Sequence, residues 1–185
     1  MIKNDRYKRV SVRVNIQSEV TKWLTVGGNT FGAFDNFSGN APNMGTLVTT
    51  SPLVSPKDSN GQYIVDPFGN NTINPFLSAT ADDRNLANTL SGNAFAIVKI
   101  PGLEGFSYRL NYGNQLNWAL HGYSNRYDAG QTGEAYKDNS SQLNSTIDNI
   151  LNYNREFGEH YLDITVVAGE NRTKYESTSA EGTNI

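Results

Sequence analysis

The side chains best able to do chemistry in this chain are few and far apart. There are two histidines, His121 and His160, and no cysteine. Thiolate catalysis, disulfides and cysteine-held zinc are therefore excluded. His121 closes a long alternating segment and His160 sits in a short turn, at opposite ends of the elements that carry them, which argues against a shared metal. Asp82 beside Asp83, and Glu156 with Glu159 and Asp163, are carboxylate pairs of the kind hydrolysis uses. No candidate nucleophile or enclosing pocket accompanies either set, and carboxylates in polar turns are ordinarily solvated. Asp58-Ser59-Asn60-Gly61 starts like a calcium loop but lacks the later acidic ligands and the closing Glu, so it reads as a hairpin turn. Gly27, Gly28 and Gly32 lack the strand-loop-helix context of a nucleotide loop and read as points of bending or close packing. The Asn-x-Ser/Thr matches at Asn36, Asn70, Asn139, Asn144 and Asn171 follow from the abundance of Asn. No catalytic residue, metal or cofactor is expected, and the chain does not read as an enzyme.

Binding is the chemistry that remains. Tyr63, Phe68, Phe76, Tyr123, Tyr127 and Tyr136 stand in polar stretches amid Asn, Asp and Gln. Aromatic faces that stack, beside amides that hydrogen-bond, suit capture of an oligosaccharide or a peptide. A net charge of -3 and the lack of any Lys/Arg stripe speak against nucleic acid.

The elements that must position these residues alternate with period two. Residues 106 to 120, FSYRLNYGNQLNWAL, place Phe106, Tyr108, Leu110, Tyr112, Leu116, Trp118 and Leu120 on one parity and Ser107, Arg109, Asn111, Gln115 and Asn117 on the other. Side chains of an extended chain point alternately to opposite sides, so one face is apolar and the other amide-rich. At about 3.3 Å per residue the segment spans about 50 Å, far more than the usual strand of about 5 to 6 residues. Five further segments alternate, about 7–17 (Val10, Val12, Val14, Ile16), 22–34, 93–100, 142–154 and 160–174 (Leu162, Ile164, Val166). No helix is expected. Short connections join the segments in pairs, whereas residues 35–92 and 121–141 are long and polar.

Short turns at one end and long loops at the other are the asymmetry of an outer-membrane barrel, with periplasmic turns and extracellular loops. Hydrophobic residues make up 37% of the chain, no stretch of about 18 apolar residues occurs, and the first residues lack the apolar core of a signal peptide. Strands can still cross a bilayer with so weak a signal per segment. Val10, Val12, Val14, Ile16, Leu110, Leu116, Trp118, Leu162, Ile164 and Val166 are expected to face lipid, and Arg9, Arg13, Arg109 and Asp163 the wet side. Trp23, Trp118, Tyr153 and Tyr161 lie near strand ends, where aromatic girdles form.

RVSVRVNIQSEVTKWLTVGGNT (9 to 30), SPKDSNGQY (55 to 63), NTINPF (71 to 76), IVKIPGLEGFSYRLNYG (97 to 113) and STIDNILNYNREFGEHYLDITVVAGENRTKYEST (145 to 178) together resemble the barrel of SusC/RagA-family TonB-linked outer-membrane proteins. That resemblance implies a 22-stranded barrel closed by a plug and driven through a TonB-type energiser, which imports glycans or peptides with a SusD-like surface lipoprotein as lid. It implies a location in the bacterial outer membrane. Residues 1–185 are then expected to be an internal piece of the barrel, all-β with about six antiparallel strands. Signal peptide and plug are absent from it, and it is not expected to transport by itself. The competing reading is a surface-exposed β-rich adhesion or carbohydrate-binding module that does not transport.

Overall fold

The computed structural model describes residues 6–125 and 133–183. Six strands form one antiparallel sheet in sequence order: β1 (Lys8–Thr21), β2 (Leu24–Asn36), β3 (Asp82–Lys99), β4 (Phe106–Asn125), β5 (Glu134–Phe157) and β6 (His160–Thr183). The fold is the all-β, meandering sheet that the alternation predicts. Its strands run 13 to 24 residues, well beyond the usual soluble length.

Register fixes which parity meets which. Val12, Gly32, Leu90, Leu116 and Leu143 are successive cross-strand partners, and so are Ile16, Gly28, Ala94, Tyr112 and Ile147. Even positions of β1 to β4, odd positions of β5 and even positions of β6 therefore share one face, termed outer here. All ten residues expected at lipid, Val10, Val12, Val14, Ile16, Leu110, Leu116, Trp118, Leu162, Ile164 and Val166, lie on that face. Arg9, Arg13, Arg109 and Asp163 lie on the inner one.

The sheet has almost no core of its own. Ala33, Leu77 and Ala79 are the buried hydrophobic residues among those described, whereas Val12 is 59% exposed, Ile16 69% and Val166 59%. A soluble chain of this size ordinarily buries its Val and Ile. No helix among the described residues is long and apolar enough to cross a membrane.

Four strands and the long loop differ from the sequence reading. β3 begins at Asp82 rather than near residue 93, so the long loop is residues 37–81. Asn88 and Gly92 interrupt the apolar parity that Leu86 and Leu90 otherwise carry on from Ala94, which hides the first half of the strand. Likewise β4 runs on to Asn125 and β5 starts at Glu134, so most of the span 121–141 is strand and not loop. β6 continues to Thr183, past 174. Finally, the long loop contains two single-turn helices, an α-helix at Met44–Leu47 capped by Asn43 and a 3₁₀ turn at Leu77–Thr80. Asn43 Oδ1 accepts from Thr46 N at 3.1 Å, the bond that makes Asn a preferred N-cap.

The turns joining β1 to β2, β3 to β4 and β5 to β6 are short and lie together at one end of the sheet. The last is Gly158–Glu159, with Gly158 at φ 63°, a conformation that favours glycine. At Gly27 the need is space. A Cβ there would meet Phe95 Cζ at 2.5 Å and the Ile16 carbonyl at 2.9 Å, so the Phe95 ring lies over the glycine and fills the gap it leaves.

Candidate functional site

At the opposite end of the sheet the inner face meets the long loop. The loop is held by Asn74, a fully buried side chain whose Nδ2 donates to the carbonyls of Pro56 (2.8 Å) and Ile64 (2.7 Å) and whose Oδ1 accepts from Phe76 N (3.0 Å). One amide thereby ties three stretches of irregular backbone, which otherwise has no ladder to satisfy it. Asp58-Ser59-Asn60-Gly61 is a hairpin turn: the Asp58 carboxylate accepts from Asn60 N and Gln62 N, and Lys57 bridges Tyr63. Its oxygens thus serve backbone N–H groups, as in an Asx turn.

Tyr63 and Phe76 stack with ring centroids 6.0 Å apart and planes 11° apart, and Lys57 Nζ sits 4.6 Å above the Tyr63 ring. A cavity of about 600 Å³ opens between this platform and the strand ends, lined by Gln62, Tyr63, Val65, Leu77, Asp82 and Ser124 among others.

Below it on the wall, Tyr123 of β4 and Tyr136 of β5 are direct cross-strand partners and stack at 5.1 Å. His121 meets Tyr136 edge-on at 5.0 Å. His121 Nε2 lies 2.9 Å from Asp83 Oδ1 and 3.4 Å from the Tyr136 hydroxyl. The other oxygen, Asp83 Oδ2, accepts from Gly39 N at 3.1 Å, so the carboxylate joins the loop to the wall. This overturns the expectation that Asp83 is merely solvated: its side chain is 10% exposed. The earlier start of β3 puts Asp83 on a strand, where register brings it beside His121 and the loop folds over it. A second cavity of about 670 Å³, lined by His121, Glu134, Tyr136, Asp138 and Glu181 among others, adjoins the tyrosine pair.

Of the six aromatics expected to contact ligand, four thus form two stacked pairs beside two cavities. Phe68 stands apart in the turn held by Asp66, and has no ring partner among the described residues. Tyr127 lies outside the described residues. His160 starts β6 at the far end from His121, exposed. No group of three or more metal-ligating side chains occurs among the described residues. The His121–Asp83 pair is engaged in fastening the loop, and the arrangement as a whole suits recognition by stacking and hydrogen bonding.

Sequence reasoning missed the fastening role of Asp83, the part played by Asn74 and the setting of the inner arginines. Arg13 lies over Phe31 at 5.1 Å and Arg109 over Phe95 at 4.8 Å, while Arg9 approaches Asp35 at 3.7 Å. The signal for the first two was present, since Phe31 and Phe95 are the bulky residues on otherwise small or polar inner positions.

No family model matches the chain. A curated protein of Formosa agariphila, TonB-dependent receptor P3, is 25% identical across 87% of this chain, which corresponds to 18% of that receptor. Two solved structures share the fold. The RagAB peptide transporter aligns with 97% of this chain at a TM-score of 0.70 and 20% identity, covering 22% of that chain. The RagAB peptide importer in the open-open state aligns with 96% at a TM-score of 0.69 and 21% identity, covering 21%. The chain spans about a fifth of the length of the proteins it matches. Sequence and fold agree that it resembles a segment of a TonB-dependent receptor of the SusC/RagA type.

Proposed function

We propose that the chain is a stretch of the wall of a TonB-dependent outer-membrane transporter that imports oligosaccharides or peptides. The observation that carries this is the outer face, on which apolar side chains of all six long strands share one side of the sheet, with almost no core behind it. Bare in water, such a face and the open edges of β1 and β6 would drive aggregation. Both are accounted for if lipid covers the face and further strands pair with the edges to close a barrel.

In this reading the short turns face the periplasm and the long loop faces the outside. The stacked pairs Tyr63–Phe76 and Tyr123–Tyr136 then flank the entrance and take the ligand first. The names of the matched proteins support import and, for the RagAB structures, a peptide cargo. A TonB-type energiser and a SusD-like surface lipoprotein are the partners the whole protein needs, and the segment alone does not transport.

Replacing Leu110 and Leu116 together with Arg in the full-length protein tests the reading. Each charge near the bilayer midplane costs about 2 to 4 kcal/mol, so integration into the outer membrane is expected to fail. Arg at the inner positions Asn111 and Asn117 is expected to leave it intact. Normal integration of the Leu110/Leu116 variant contradicts the reading and favours a water-exposed adhesion module.

A further inference from the structure

On the outer face the apolar band ends at a slant. Its last large apolar residue toward the long loop is Leu120 on β4, Leu143 on β5 and Val166 on β6. Each lies further from the long-loop end than the one before, as strand tilt requires. Adjacent strands are about 4.8 Å apart and tilt by about 45°, so cross-strand partners differ in height by about 3.4 Å per strand. Where the slanted border crosses β3 to β6 the face is concave. Two neighbouring rows of cross-strand partners line a hollow of about 440 Å³: Leu86, Leu120, Asn139 and Thr178 in one, Asn88, Trp118, Ser141 and Glu176 in the other. The β3–β4 half presents Leu86, Leu120 and the Trp118 ring. The β5–β6 half presents an amide and hydroxyls, and the side chains of Asn139, Ser141 and Thr178 make no hydrogen bond among the described residues. Lys174 Nζ is engaged by Glu176 Oε1 at 2.6 Å, and no other cation borders the hollow among the described residues.

We propose that this hollow binds a glycolipid of the leaflet on the long-loop side, with an uncharged headgroup sugar in the β5–β6 half and the acyl chains running down the face past Leu116. The inference rests on the transporter reading, since it needs lipid on the outer face, and goes beyond it in naming one lipid class. Glu176 and Thr178 are two strands on from Trp118 and Leu120, and so stand about 7 Å further out. The polar layer of a bilayer is about 5 to 7 Å thick on each side of the hydrocarbon core. The hollow therefore spans the depth over which a lipid changes from acyl chain to headgroup, and its two halves change in the same order. It also opens directly onto the Leu116 and Leu143 row of the lipid-facing band, which makes a lipid its occupant rather than a protein. A Trp ring offers a flat apolar surface to the C–H side of a pyranose. Amides and hydroxyls both donate and accept, which matches sugar hydroxyls that do the same. A phosphate headgroup would meet the Glu176 carboxylate and find Lys174 already engaged.

The test uses the full-length protein extracted in mild detergent and mixed with equal amounts of digalactosyl diacylglycerol, phosphatidylglycerol and phosphatidylcholine. Lipid retained per protein is counted by native mass spectrometry. The same count is made on Trp118→Ala, and on the double variant Asn139→Leu/Thr178→Val, which keeps the bulk and removes the polar groups. Protease resistance checks that each variant is folded, and either folded variant decides the outcome. The native protein is expected to retain the galactolipid in preference to the other two, and each folded variant to weaken that preference about three- to tenfold. Equal retention of the three lipids, preference for either phospholipid, or a preference that a folded variant keeps in full overturns the inference. Free digalactoside that binds as tightly as the galactolipid assigns the hollow to a soluble sugar and overturns it as well. In each of those cases a native protein that still integrates into the outer membrane leaves the transporter reading standing. Failure to integrate sinks both.

Discussion

Asp83 uses both carboxylate oxygens as fasteners, one on Gly39 N and one on His121. Asp83→Ala leaves Gly39 N with only the main-chain carbonyl of residue 83, 3.1 Å away, and His121 with only the Tyr136 hydroxyl, 3.4 Å away, a loss of about 1 kcal/mol. Amide hydrogen exchange around Gly39 is therefore expected to speed up about fivefold while that of β1 is unchanged. Equal exchange at Gly39 would show that the loop is held elsewhere. Asp66 makes a pH-dependent counterpart. Backbone N–H groups, that of Asn71 foremost, hold its carboxyl below the usual carboxylate range. A lowered pKa means that the turn gains from the ionised form at neutral pH and loses that gain as pH falls through the lowered value. Exchange at Asn71 should rise only in strong acid, and Asp66→Asn should show the fast rate already at neutral pH. Neither residue was legible from its neighbours, since a carboxylate in a polar stretch looks solvated until the fold brings donors to it.

Strands were legible to the extent that their two faces meet different surroundings. β1 alternates Val and Ile against Arg, Asn and Ser through its middle, and its outer face is apolar from Val10 to Ile16. The ends of β5 and β6 away from the short turns show no such contrast. Lys137, Asn139 and Ser141 of β5, and Glu170, Arg172 and Lys174 of β6, occupy outer-face positions, and the inner-face residues that alternate with them, Asp138, Ser140, Asn171 and Thr173, are polar too. Where water wets both faces there is no alternation to read, which explains why β5 looked confined to about 142–154 and β6 to about 160–174. β3 was cut short for another reason, the insertion of Asn88 and Gly92 into its apolar parity. The sheet's tolerance to volume is also local. Gly27→Val would drive its side chain into Phe95 and the Ile16 carbonyl, whereas a Cβ at Gly122 meets nothing within 4 Å. Gly27→Val in the full-length protein is expected to cut the folded, protease-resistant fraction severalfold and Gly122→Ala to leave it unchanged. Equal yields would show that Phe95 does not pin the wall at β2.

For the whole molecule the claim is that one face of the sheet is lipid-facing and the other lumenal. Aromatic contacts mark the two borders of the outer face: Phe106 with Tyr153 at 4.5 Å beside the short turns, and Phe34 with Trp118 at 6.2 Å toward the long loop. Phe106 to Trp118 is about 40 Å along the strand at about 3.3 Å per residue, which a tilt of about 45° turns into a rise of about 28 Å. That matches the apolar band of an outer-membrane barrel, about 25 Å tall between its girdles. The chain has no native cysteine, so single cysteines can be placed at each position from Arg109 to Leu116 of the full-length protein in its own membrane and labelled with a fluorophore. The account predicts that Leu110, Tyr112, Asn114 and Leu116 are quenched by a lipid-soluble quencher and protected from a water-soluble one, with the reverse at Arg109, Asn111, Gly113 and Gln115. Water-soluble quenching at both parities would contradict it.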